Sequence, residues 1–294
     1  MIDKITPRPD ASVKKMLEDA GFTDTESIVT SKNTYVAPFV NAEEAQYLVI
    51  ENAFPNGRPA LENAGVMFTS RETVEKVERM KVCTCLNPLH TALAVYGCLL
   101  GYTKISDEMK DADLVKLVEI IGYKEGLPVV TDPGILSPKK FIDEVLQIRV
   151  PNPFMPDTPQ RIACDTSQKL SIRFGETIKE YMASSELDVK SLKFIPMVQA
   201  GWCRYLLGVD DELNAFTVSP DPMYEELAGK LAGVKVGESC DVHAVLSPIL
   251  SDAKIFGVNL YEAGLGEYVE SIFAEQIAGK GAVRETLKRH LAEA

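Results

Sequence analysis

The sequence predicts a mainly α protein with a small β-containing part at its N-terminus. Three observations carry this. From about Arg71 onward, apolar residues recur at helical spacing in stretches long enough for whole helices. The run 88–102 is apolar nearly all round, so it is expected to be a central, buried helix. Short strand-like segments and turn chemistry are confined to the residues before about Leu61. The division expected is a β-containing segment over 1–70 and a helical body over 71–294.

The elements follow in order. Ser12 to Ala20 has a helical pattern closed by Gly21. Ser27–Thr30, Tyr35–Val40 and Gln46–Glu51 alternate as strands do, and Asn56-Gly57-Arg58-Pro59 is a turn. Helices are expected over 71–82, 88–102, 106–122, 137–148, 157–185, 189–207, 221–232 and 260–292, with Pro151 and Pro153 breaking the chain between two of them. Pro88 suits a first helical turn because it has no N–H to leave unpaired. Asn87 before it is a good N-cap. Gly97 and Gly101 allow another backbone to approach the 88–102 helix. No internal repeat or low-complexity stretch interrupts the pattern.

A chain of 294 residues can bury a large core and exceeds the usual single-domain size. Its net charge of −12 argues against nucleic acid and anionic membranes as partners. Met1-Ile2-Asp3-Lys4 is not the basic start of a secretory leader, and Ile2-Asp3-Lys4-Ile5-Thr6-Pro7 reads like the interior of a longer protein. No apolar stretch approaches the roughly 20 residues that span a bilayer. The six cysteines are scattered, which fits reduced, buried thiols and a cytoplasmic setting. Cys83, Cys85 and His90 supply only three local zinc ligands without a CxxC pair, so no metal is expected. His243 and His290 carry no motif and are expected to be structural or exposed. Gly264-Leu265-Gly266 and Gly279-Lys280-Gly281 lack the context of a dinucleotide or phosphate loop.

One polar set stands out. Lys81, Asn87 and His90 lie at the start of the apolar run. Taken singly, they read as a solvated lysine, a helix cap and a core histidine. Polar groups at the mouth of a buried helix are costly unless satisfied, which marks the place for chemistry.

Several motifs carry a resemblance. They are Met1–Pro7, then Val49-Ile50-Glu51 with Phe54 and Gly57-Arg58-Pro59, then Met80-Lys81 with Leu86-Asn87-Pro88-Leu89-His90. Next come Arg149-Val150-Pro151-Asn152-Pro153, Asp157-Thr158, Arg161-Ile162-Ala163 and Asp165-Thr166-Ser167-Gln168-Lys169. In this order they resemble the C-terminal part of the polyol-specific long-chain dehydrogenases, the family of mannitol 2-dehydrogenase, fructuronate reductase and tagaturonate reductase. The resemblance implies a multi-helical substrate domain like the C-terminal domain of 6-phosphogluconate dehydrogenase. It also implies an NAD- or NADP-dependent oxidoreductase that interconverts a polyol or aldonate alcohol with a ketose or keturonate, of fructuronate reductase type by preference. The family's nucleotide-binding domain would precede Met1, so the cofactor would be held mainly outside this chain.

By the same resemblance Lys81 is the general base, Asn87 the donor to the developing alkoxide, and His90 a donor that orients substrate oxygen. A lysine can act as base once burial lowers its pKa. A donor aimed at developing charge is worth about 3 kcal/mol. The family usually spaces the lysine and asparagine five residues apart, and here the spacing is six. On a continuous helix the extra residue would turn Lys81 by about 100°, unless a bulge or break before Pro88 absorbs it. Arg149, Arg161 and Lys169 are the candidates for binding substrate, with Arg173 behind them. Salt bridging to Asp157, Asp165 or Glu176 is an equal alternative for Arg161 and Arg173, and Arg58 is either structural or a support for the site. The competing functional reading is a stand-alone helical domain or fragment, without catalysis, that binds sugar or mediates oligomers.

Overall fold

The computed structural model describes residues 11–26, 48–153, 155 and 157–294, together with the strand residues 4–5, 28–29, 35–36 and 41–42. It divides into two compact units, Met1–Glu75 and Lys76–Ala294. Strand expectations at Ser27, Thr30, 37–40 and 46–47 fall outside the described residues.

The first unit holds β1 (Lys4–Ile5), α1 (Ala11–Asp19), β2 (Ile28–Val29), β3 (Tyr35–Val36), β4 (Asn41–Ala42), β5 (Val49–Glu51) and β6 (Met67–Thr69). β1 pairs with β4 and β2 with β3, both antiparallel. β5 pairs with β6 in parallel, with Ile50 opposite Phe68. β6 is not expected from the sequence, because three residues are too few to show alternation. The loop between β5 and β6 is held by Arg58. Its guanidinium lies 3.4 Å from the Phe68 ring centroid and pairs with Glu62, so Arg58 serves this loop.

After α2 (Arg71–Met80), which crosses the boundary between units, the second unit is mainly helical. Its helices are α3 (Asn87–Leu99), α4 (Ile105–Glu108), α5 (Ala112–Glu119), α6 (Pro138–Glu144), α7 (Pro159–Ile162), α8 (Glu176–Ala183), α9 (Phe194–Tyr205), α10 (Tyr224–Leu231), α11 (Val242–Leu250), α12 (Ala253–Phe256), α13 (Gly266–Gln276) and α14 (Ala282–Ala292). Four of the joins are π turns: Lys81–Cys85, Ile120–Gly126, Val145–Arg149 and Ser171–Gly175. The fold is mainly α, as the periodicity predicts.

The core is α3 packed against α9, and α9 against α13. Leu89, Ala92, Leu93, Val95, Tyr96 and Leu99 of α3 are wholly buried. Gly201 of α9 lets that helix approach the Tyr96 ring, where an added Cβ would sit 3.3 Å from it. The Tyr96 hydroxyl donates to Met197 O and accepts from Gln276 Nε2 at 2.9 Å, tying the three helices together. By length and composition alone the helical run Arg71–Leu99 could cross a bilayer, a property that buried core helices share. Within that run 89% of the most apolar window is buried inside the protein, as in a core helix.

Three expectations are corrected. The 260–292 helix is two, α13 and α14. Gly281 at φ +79° turns the chain between them, and the carboxylate of buried Asp211 accepts from Val283 N (2.8 Å) and Arg284 N (3.0 Å) to cap the second. The 157–185 helix is also broken. Asp165 adopts φ +52°, and Asp221 accepts from Ser167 N (2.8 Å) and Ser167 Oγ (2.5 Å). α11 is missed because Pro248 lies inside it, and its start is capped by Asp241.

Two buried acids behave in opposite ways. The Glu125 carboxylate accepts from the N–H groups of Lys193 (2.7 Å), Phe194 (2.8 Å) and Ile195 (2.8 Å), so one side chain caps the start of α9 from far away in sequence. Glu108 is wholly buried against Gly97, and neither carboxyl oxygen has a hydrogen-bond partner among the described residues. Burial, reinforced by Asp111, pushes its pKa up to about 10.

Glu125→Ala is expected to destabilise the protein by about 3 kcal/mol or more in urea unfolding, since buried N–H groups left unpaired cost about 1–3 kcal/mol each. Glu108 keeps its proton in the folded state while the unfolded chain loses it near 4.5. Between those values the folded state binds more protons, so stability falls as pH rises. Glu108→Gln removes that slope. Its stabilising effect in thermal unfolding should be larger at pH 8 than at pH 5, each pH unit adding up to about 1.4 kcal/mol.

Candidate active site

The π turn Lys81–Cys85 joins α2 to α3. Its defining bond runs from Leu86 N to Lys81 O at 3.1 Å, five residues rather than the four of an α-helix. A turn of this kind holds one additional residue. Asn87 therefore follows the residue that donates to the Lys81 carbonyl, the same relation that a five-residue spacing has on an α-helix. The extra residue between Lys81 and Asn87 is taken up here, in a turn that ends at Leu86, where the backbone leaves the helical region at φ −132° and ψ −61°. The turn is held from outside by Thr177, whose hydroxyl donates to Cys83 O (3.5 Å), and by the Cys85 thiol on Pro138 O (3.7 Å). Lys81 itself is only 5% exposed.

Asn87 is not the cap of α3, which corrects the expectation. The N-cap position is Leu86, with no side-chain cap, and Asn87 is the first helical residue. The physical reason is that the chain leaves the helical region one residue earlier, at Leu86 (φ −132°, ψ −61°), and His90 N finds Leu86 O at 3.0 Å. The Asn87 carboxamide makes no hydrogen bond among the described residues, while its carbonyl accepts from Thr91 Oγ1 at 2.8 Å. Asn87 and His90 are half-buried on the first turn of α3. Lys81, Asn87 and His90 thus occupy one continuous stretch of widened turn and helix start.

The second block of candidates is distributed around this stretch. Arg149 ends the π turn Val145–Arg149 that follows α6, and α6 packs on the Lys81–Cys85 turn. Arg161 is ion-paired with the buried Asp157 and its side chain is 57% exposed. Because the predicted 157–185 helix is broken, Arg161 and Lys169 do not share one helical face. The Lys169 ammonium donates to Cys164 O and Ile162 O, and burial together with the Arg173 charge pushes its pKa down. The π turn Ser171–Gly175, one turn on, packs against both the Lys81–Cys85 turn and α3. It carries Arg173, whose Nη1 donates to Thr91 Oγ1 at 2.6 Å. Arg173 does not pair with Glu176, which is held instead by Arg79 and Lys179, each at 2.7 Å. Thr91 is the residue the sequence reading missed. Its signal is its position four residues after Asn87, on the same helix face.

All six cysteines are free thiols. Burial pushes Cys85, Cys98 and Cys203 up to about 12, so they stay protonated and make poor metal ligands. Among the described residues no group of three or more His, Cys, Asp or Glu is placed to hold a metal ion. His243 and His290 are taken by Glu270 and Glu275 at 2.8 and 2.9 Å. Gly264-Leu265-Gly266 leads into α13 without a strand before it, so this loop lacks the context of a dinucleotide fingerprint.

The profile of the mannitol dehydrogenase C-terminal domain matches residues 73–270. The chain belongs to this family. It is 60% identical over 292 residues to a D-mannonate oxidoreductase of Thermotoga maritima, covering 98% of this chain and 54% of that protein. It is 31% identical over 232 residues to a polyol:NADP oxidoreductase of Gluconobacter oxydans, covering 79% of this chain and 44% of the relative. Its fold matches the Pseudomonas fluorescens mannitol 2-dehydrogenase, solved as a ternary complex with NAD and D-mannitol. That match has a TM-score of 0.74 at 25% identity, over 100% of this chain and 54% of that one. The chain spans about half the length of the curated relatives it matches.

Since Asn87 does not cap α3, its carboxamide is separable from helix stability. In the full-length protein containing this chain, Asn87→Ala is expected to lower turnover on the order of a hundredfold. The melting temperature should stay within a degree or two of the parent, the range of a substitution that removes no cap.

Proposed function

We propose that the chain is the substrate-binding part of a nicotinamide-dependent oxidoreductase. It interconverts a sugar acid and its keto acid, D-mannonate and fructuronate before mannitol and fructose. The observation that carries this is the buried lysine on a widened turn directly before Asn87 and His90. The 60% identity to a D-mannonate oxidoreductase favours the sugar acid over the polyol.

In the oxidising direction the substrate alcohol sits between Lys81 and Asn87. The Lys81 amine takes the hydroxyl proton as the C–O bond gains double-bond character. The Asn87 amide N–H donates to that oxygen while it carries negative charge, and His90 holds the oxygen or its neighbour in place. In the reducing direction the same lysine, as ammonium, returns the proton. A nicotinamide supplies or accepts the hydride when bound. It is held by a nucleotide-binding domain beyond these residues, to which the 1–70 segment connects. Arg149, Arg161 and Lys169 bind the remaining substrate oxygens. Arg161 can do so with the part of its guanidinium that Asp157 leaves free.

Turnover is the test. The full-length protein should oxidise NADH or NADPH with fructuronate. Lys81→Ala should reduce this to background with the melting temperature retained, and added methylamine should restore part of it by replacing the lost amine. Wild-type rates in Lys81→Ala would remove Lys81 as the base. Absence of turnover with both fructuronate and fructose would remove the function.

A further inference from the structure

Arg173 has surroundings unlike those of the other well-placed arginines. Arg79, Arg161, Arg284 and Arg289 each pair with a carboxylate. Arg204, wholly buried, donates to three carbonyls, those of Gln276, Val209 and Asp210. Arg173 is half-buried, yet among the described residues it has no carboxylate and no carbonyl partner. The one hydrogen bond of its side chain among the described residues goes to Thr91 Oγ1 at 2.6 Å. A guanidinium carries five N–H donors. The acid nearest in sequence, Glu176, is held by Arg79 and Lys179.

The surroundings add to the imbalance. Lys169 lies one turn before Arg173, and its ammonium is spent on carbonyls, with no ion pair among the described residues. Two cations at this spacing repel each other by about 0.2–0.5 kcal/mol even on an exposed helix. Burial alone pushes Arg173 down to about 10, still charged at neutral pH. The guanidinium is fixed through Thr91 to the carbonyl of Asn87, so it stands one turn below the carboxamide assigned to the reacting oxygen. Folding an uncompensated cation to this point is costly unless a ligand anion completes it.

We propose that Arg173 is the carboxylate anchor of the site. Its free N–H donors take the carboxylate of a sugar acid as a forked pair, and Lys169 lends a second positive charge. This deepens the function proposed above and rests on it for the location of the reacting carbon. It makes the guanidinium the group that separates a sugar acid from the polyol of the same length, which offers a neutral hydroxyl at that end. A planar guanidinium suits a carboxylate better than an ammonium does.

Calorimetric binding of D-mannonate and D-mannitol to the full-length protein tests this without requiring turnover. The parent should bind D-mannonate at least tenfold more tightly than D-mannitol. Arg173→Gln should abolish that preference by weakening D-mannonate alone, with D-mannitol within threefold of the parent. Arg173→Lys keeps the charge and most of the packing, so it guards against a folding failure in the glutamine variant. It should weaken D-mannonate several-fold and leave D-mannitol unchanged. Equal weakening of both ligands, or an unchanged preference in either variant, overturns the anchor. So does a parent that binds neither ligand. A protein that prefers D-mannonate through Arg173 but does not oxidise it retains the anchor and loses the proposed reaction. A protein that oxidises D-mannonate while Arg173→Gln keeps the preference loses only the anchor.

Discussion

The hydrogen bond from Leu86 N to Lys81 O is the constraint on which the candidate site depends. α3 is buried on all sides, so its rotation is set by α9 and the other helices packed on it and is not free to follow the site. The lysine arrives from α2, on a helix that must join α3 without a gap. An ordinary α-turn with Asn87 six positions after Lys81 would carry the lysine off the face of the carboxamide by about 100°. Widening one turn resolves the conflict locally. The carbonyls that a wider turn leaves less well aligned are met by side chains, as Thr177 does for Cys83. Wide turns of this kind are uncommon and recur at functional sites. Here three of the four carry candidate residues, Lys81, Arg149 and Arg173.

The buried charges of the helical unit fall into two kinds. Glu125, Asp211 and Arg204 are saturated by backbone groups from distant parts of the chain, and each one fixes where a helix begins or where a loop returns. Arg284 is likewise completed by Asp111 and Asp113. Saturation of this sort removes the desolvation cost and leaves nothing for a ligand. Arg173 and Lys169 are different. They have no acid partner among the described residues, and Arg173 reaches the first turns of α3 through Thr91. The contrast separates architecture from binding more clearly than burial alone, because both kinds are wholly or partly withdrawn from water.

Much of the fold was legible in the chain itself. The 3.6-residue periodicity after Arg71, the all-round apolar character of 88–102 and the Pro88 start are local properties, and local properties dictate helices. Lys81, Asn87 and His90 were legible as a set because they share one short stretch. What was not legible has a common cause. Thr91 looks like any helix-interior threonine until Arg173, far along the chain, is seen to reach it. The break between α13 and α14 and the break at Asp165 are made by Asp211 and Asp221, distant acids that the local pattern does not contain. The Asn87 cap was mistaken because the π turn places the break one residue earlier, at Leu86, so that Asn87 is already the first helical residue.

The sequence by itself therefore determined the helices, the buried centre and the residue types at its mouth, since these follow from the order of apolar and polar side chains along the backbone. Only the tertiary structure decided how the extra residue before Asn87 is accommodated, which arginine keeps its donors free, and where the last helices break. Those outcomes depend on which distant carbonyl, hydroxyl or carboxylate reaches each group first, and that competition is settled by packing in space.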